Sequence, residues 1–281
     1  MTKKLKFIVL LLICSLLNVN LAWGDPITTA DLDFGTPAVS EDFEDLNTCQ
    51  NTPGNGKSGT QQSGQTAYGI FTNTYVGKSS SIGFGIYEAA SPFNSQYLKV
   101  FSDNSKYAGV CFTRTFASKG SYEITFSKSS VGFFGLYAAI GNGELNNKSN
   151  NTVYFKWDGS ELTIADGNTS THSWQSVGNP SLSLISVSVI YNLTATDDTY
   201  GDGISIASGK AHVYINGSAI MDGSDPKAFT IPANRTPSYF RLYTQNTSGI
   251  SVDDIKIYDA LPAAAETCTK LGQINGSFCW T

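Results

Sequence analysis

An all-β protein, an antiparallel β-sandwich of jelly-roll type, is the fold class that three observations predict. Aromatic and β-branched residues alternate with polar ones in run after run. Gly, Asn and Ser separate the runs, and the 3.6-residue apolar spacing of a helix is nearly absent. The chain has 281 residues, of which 12% are aromatic and 27 are glycine, a balance suited to packed strands joined by tight turns. Many short strands without interleaved helices exclude a parallel α/β architecture and leave two antiparallel layers.

The first element is a leader, not a strand. Lys3, Lys4 and Lys6 precede an apolar run from Phe7 to Leu17, and Ala22 and Gly24 supply the two small residues that signal peptidase reads. The run is shorter than the roughly 20 residues a membrane span requires, so cleavage before Asp25 is expected. The chain therefore divides into a signal peptide (1–24), a β-sandwich (25–260) and a stretch (261–281) that is either a linker into a further domain or a disulfide-tied tail. The expected location is secreted or at the cell surface.

Within the sandwich, alternation marks strands at 121–126, 152–157, 185–191, 211–215, 239–243 and 252–258. Asp158-Gly159 and Asn216-Gly217 have the chemistry of hairpin turns with φ > 0. The polar stretches 50–66, 141–151 and 194–203 are expected to be surface loops. Past Tyr258, Leu261-Pro262 followed by three alanines marks the exit from the domain.

Charge narrows the partners. Lys plus Arg number 18 against 23 Asp plus Glu, a net of -5, and losing the three leader lysines takes it to -8. An acidic surface excludes nucleic acid and anionic lipid, which require clustered cations, and no second apolar segment could span a membrane. Four cysteines remain after cleavage: Cys49, Cys111, Cys268 and Cys279. An exported protein is expected to join them in two disulfides. Three connectivities are open, and the pairing adopted is Cys49 with Cys111 and Cys268 with Cys279. No pair has zinc-ligand spacing, no Gly-x-Ser-x-Gly elbow occurs, and no catalytic residue is assigned.

The run Lys210-Ala211-His212-Val213-Tyr214-Ile215-Asn216-Gly217, followed by Ser251-Val252-Asp253-Asp254-Ile255-Lys256-Ile257-Tyr258-Asp259, resembles the closing strands of concanavalin A-like lectin/glucanase (LamG-like) jelly rolls. Ser40-Glu41-Asp42-Phe43-Glu44-Asp45-Leu46 resembles their opening strand. The resemblance implies a glycan-facing or adhesive module whose partner is a polysaccharide or surface glycan. It does not extend to the Glu-x-Asp-x-Glu strand of the glucanase branch, because Glu41, Asp42, Glu44 and Asp45 are spaced differently. A glycoside hydrolase or lyase with another acid pair, and a structural cell-surface role, stay as alternatives.

Sugar recognition needs rings for the apolar face of a pyranose and planar polar groups for its hydroxyls. Alternation sets His212 and Tyr214, then Arg241 and Tyr243, then Tyr154 and Lys156, opposite the core stripes of their strands. Trp174, flanked by polar residues, is the leading stacking candidate. Calcium is a possible structural ion. Its candidate ligands are Asp197, Asp198 and Asp202, together with Glu44 and Asp254, where the resemblance implies an ion tying the first strand to the last.

Overall fold

The computed structural model describes residues 27–44, 49–51, 70–71, 73–76, 83–87, 93, 95–101, 108–127, 137–141, 151–166, 173–231, 237–244, 250–266, 272–274 and 277–279. Among them the only helical turn is the 3-10 segment Thr29–Asp31, and every other element is a strand. None of these residues forms a helix long and apolar enough to cross a membrane.

Two antiparallel sheets make the sandwich. The seven-stranded front sheet runs in the order Ser173–Gly178, Leu162–Asp166, Asn151–Trp157, Tyr137–Gly141, Tyr239–Thr244, Ala108–Thr113, Asn73–Val76. The ten-stranded back sheet has the spine Ser218–Ala219, Lys210–Ile215, Leu184–Asn192, Lys119–Ser127, Ile250–Tyr258, Tyr97–Phe101, Gly83–Tyr87, Cys49–Asn51. Val39–Glu41 pairs with Ile250–Tyr258, and Phe229–Thr230 pairs with Lys210–Ile215. Sequence-distant strands are neighbours, as when Lys119–Ser127 lies between Leu184–Asn192 and Ile250–Tyr258. All six strands expected from alternation are present.

The inward stripes of the two sheets meet in one core. Phe126 of the back sheet packs 6.2 Å from Phe155 and 6.5 Å from Trp157 of the front sheet, centroid to centroid. Tyr122 packs 5.6 Å from Phe240. Each such side chain is fully buried, worth roughly 1.5–3 kcal/mol of transfer free energy.

Both turns form as their sequences dictate. Asn216 (φ 49°) and Gly217 (φ 84°) close a two-residue hairpin in which Ile215 pairs with Ser218. At the other, Gly159 adopts φ 92° and the Asp158 carboxylate accepts the backbone N–H groups of Ser160 (2.9 Å) and Glu161 (3.0 Å).

Two expectations need correction. The stretch 194–203 is not an open loop: Asp198–Tyr200 pairs with Ile204–Ile206 to form a hairpin. Asn192, wholly buried, fixes its base by donating to the Thr196 and Ile206 carbonyls at 2.9 and 3.1 Å. Residues past 261 do not leave the domain at once either. Ala263–Ala264 pairs with Leu32–Asp33, the Gly201 N–H donates to the Pro262 carbonyl (2.9 Å), and Ala265 N–H donates to Asp31 (2.9 Å). Hairpin and terminal pair cover one corner of the back sheet's outer face with a second apolar cluster: Leu32, Ile190, Tyr200, Ile206 and Tyr214.

Candidate functional site

Register assembles part of the expected binding wall on the front sheet. Phe155, Trp157, Ile164, Phe240, Leu242, Val110 and Phe112 occupy the core side, so the alternate positions form the outer face. Lys156 pairs with Tyr137 and Thr163, and Tyr137 pairs with Tyr243. Tyr154 and Arg241 both pair with Ala139, and Trp174 pairs with Ala165 on the flanking strand. Five of the seven expected contacts, Tyr154, Lys156, Trp174, Arg241 and Tyr243, therefore share one face. The side chains of Tyr154, Trp174 and Tyr243 lie outside the described residues. Lys156 is half-buried and Arg241 fully buried, so Arg241 is not the solvent-facing group that alternation suggests. Beside Lys156, the Thr163 hydroxyl is buried and has no hydrogen-bond partner among the described residues.

His212 and Tyr214 do not belong to this wall. Their strand lies in the back sheet, and both are buried under the covering hairpin. The Tyr200 hydroxyl reaches 2.8 Å from Nδ1 of His212 and 2.9 Å from the Tyr214 hydroxyl. Burial lowers the His212 pKa to about 4, with the Asp225 charge opposing the shift, so the imidazole is neutral at ordinary pH. Burial likewise raises Tyr200, helped by its hydrogen bond to Tyr214. The correction has a plain cause: outward alternation says which side of a sheet a residue takes, and another segment then packs over that side.

A group the sequence did not single out stands at the opposite end of the back sheet's outer face. Tyr87 and Tyr97 pair in register with rings stacked at 5.7 Å and 13°. Phe93, buried, packs 5.3 Å from Tyr97, and Lys99 Nζ lies 5.5 Å from the centroid of the Tyr87 ring. Next to them a β-bulge follows Asp253, and Asp254 takes a left-handed φ of 50°. Asp253 is 3% exposed and accepts hydrogen bonds from the Ser95 hydroxyl (2.5 Å) and the Asp254 N–H (2.8 Å). Desolvation raises its pKa to about 6 against those hydrogen bonds, with the charges of Asp254 and Glu44 adding to the rise.

Three of the five expected calcium ligands are engaged otherwise, and Asp202 and Asp254 are exposed. Asp198 forms an ion pair with Lys119 (2.5 Å), and Asp197 accepts the Ser208 N–H (2.9 Å). Glu44 accepts the Gln96 N–H (2.7 Å). Among the described residues no three acidic, imidazole or thiol groups gather into a cation cage. The Cys49–Cys111 bond is also corrected. Cys111 is a buried free thiol that alternates with the core residues Val110 and Phe112 on the front sheet, whereas Cys49 sits in a strand of the back sheet. Burial raises the Cys111 pKa, and the nearby Arg241 charge opposes this. Cys268 and the side chain of Cys279 lie outside the described residues.

No protein-family model and no curated protein matches this sequence. Solved structures similar to it include the carbohydrate esterase of Shiga toxin-encoding bacteriophage phi24B, at 9% identity and a TM-score of 0.44 over 80% of this chain and 99% of that one. Cellulose induced protein Cip1 is similar at 13% identity and a TM-score of 0.42, over 79% and 97% of the two chains. The VIP36 exoplasmic/lumenal domain in its Ca2+/Man-bound form is similar at 11% identity and a TM-score of 0.41, over 68% and 93%. At such identities, and with TM-scores below 0.5, these likenesses carry no weight for ligand or activity.

Proposed function

We propose that the protein is a secreted, non-catalytic module that binds a polysaccharide or surface glycan across the outer face of the front sheet. The observation that carries this reading is the register, which sets Lys156, Tyr137 and Tyr243 in one row and Tyr154 and Arg241 on either side of Ala139 in the next. Aromatic positions interleaved with cations match the needs of a sugar ring and its hydroxyls. Arg241, being buried, contributes charge from beneath, and contact falls to Lys156 and the tyrosine positions. Export rests on the leader.

A glycan array probed with the full chain, in calcium and again after chelation, tests the reading. Tyr154→Ala, Tyr243→Ala and Trp174→Ala are each expected to weaken the selected glycan about tenfold, the equivalent of roughly 1.4 kcal/mol. Flat binding under both conditions overturns it.

A further inference from the structure

The outer face of the back sheet holds a second group with the makings of a ligand site, distinct from the front wall. Ile86, Leu98 and Val100 take the core side of their two strands, which leaves Tyr87, Tyr97 and Lys99 on the outside, all partly exposed. Lys99 stands in register between Gly85 and Ser251, so no bulky neighbour crowds it across the strands. Phe93, itself buried, packs against Tyr97. The tyrosine pair is thus a braced platform. Beside it the chain holds Ser95 and Asp253 at hydrogen-bond distance, the second almost wholly buried in a bulge whose next residue is in the left-handed region.

The charges choose the ligand chemistry. Rings beside carboxylates would ordinarily suit a cation, but here Lys99 already lies over the Tyr87 ring and meets an incoming ammonium with like charge. An anionic ligand would face Asp254 and Glu44, whose charges both act on Asp253. A neutral ligand with an apolar ring face and many hydroxyls meets neither objection. Its ring can lie on tyrosine, and its hydroxyls can donate to Asp253 and accept from Lys99.

We propose that Tyr87, Tyr97, Lys99, Ser95 and Asp253 form a second saccharide subsite, on the sheet opposite the front wall, that takes a neutral glycan. This extends the reading of the protein as a glycan-binding module but uses none of the front-sheet residues. One domain with sites on opposite faces could hold two chains of a neutral polysaccharide, or two segments of one chain.

Titration calorimetry of the full chain with cellohexaose, mannohexaose and xylohexaose tests it, with a hexauronate and choline as charged comparisons. At least one neutral hexasaccharide is expected to bind, and Tyr97→Ala and Tyr87→Ala are each expected to weaken it tenfold or more while Tyr243→Ala leaves part of the binding in place. Because Tyr97 braces on Phe93, Lys99→Met is included as a variant that removes no core contact and is expected to weaken binding several-fold. Unchanged affinity in Tyr87→Ala and Lys99→Met overturns the subsite, as does preference for the uronate or choline, or no neutral ligand at all. Loss in Tyr243→Ala alone removes this subsite and leaves the front-sheet reading standing.

Discussion

The two ends of the back sheet's outer face put the same residue type to opposite use. At one end Tyr200 and Tyr214 meet His212 under a hairpin and the paired residues 32–33 and 263–264, and all three are buried. At the other, Tyr87 and Tyr97 stack flat and remain partly exposed. The difference lies in what another segment brings. Leu32, Ile206 and Leu261 arrive at the first end with apolar side chains, which makes burying two hydroxyls favourable once those hydroxyls bond to each other and to an imidazole. An outward tyrosine is therefore the foot of a cover at one end and a platform at the other.

The largest expected effect breaks the closed end. Tyr200→Ala should cost about 3–5 kcal/mol in denaturant unfolding, as for other large buried aromatics, while Tyr87→Ala should cost about 1 kcal/mol or less. Equal losses at both positions would erase the distinction.

Next in size is the response to pH, which differs in sign between the ends. His212 has a folded pKa of about 4 against 6.5 unfolded, so below pH 6.5 the unfolded chain binds the extra proton. The stability it contributes is full above that pH and is lost as pH falls towards 4, about 3 kcal/mol in all. Asp253 has a folded pKa of about 6 against 3.8, so its contribution is full below 3.8 and is lost as pH rises through 6. Between pH 4 and 6 the two trends oppose each other. His212→Gln should leave stability falling with rising pH in that window, and Asp253→Asn should leave it rising more steeply than in the parent, as read by chemical unfolding at a series of pH values. Parallel profiles in the two variants would contradict the assignment.

The smallest effect concerns the turn beneath the closed end. Gly217 sits at φ 84°, and a Cβ there would come 3.3 Å from the Thr29 hydroxyl. Gly217→Ala should cost about 1 kcal/mol in thermal unfolding.

Much of the sandwich was legible because alternation acts locally. The strand Lys119–Ser127 announces itself through Tyr122, Ile124 and Phe126, and the hairpin at Asn216-Gly217 through its two turn residues. The covering hairpin was not legible. In Asp197-Asp198-Thr199-Tyr200-Gly201-Asp202-Gly203, Tyr200 is the only large apolar residue, and its partner face is supplied by residues far away in the chain. For the same reason His212 and Tyr214 read from the sequence as solvent-facing. Tyr87 and Tyr97 escape a local reading because Gly83, Gly85 and Pro92 punctuate their region, and their stacking depends on a cross-strand pairing. A signal did exist in the apolar alternation of Leu98 and Val100, which leaves Tyr97 and Lys99 outward.

Leu32 and Asp33 run antiparallel to Ala264 and Ala263, so residues 27 and 266 emerge at the same end of that short pair. Tension applied between those two points unzips the contacts one at a time and does not shear them together. The same pull reaches the back sheet at once on the other side, because Ile27 accepts the Ala219 N–H and the Thr29 N–H donates to Gly217.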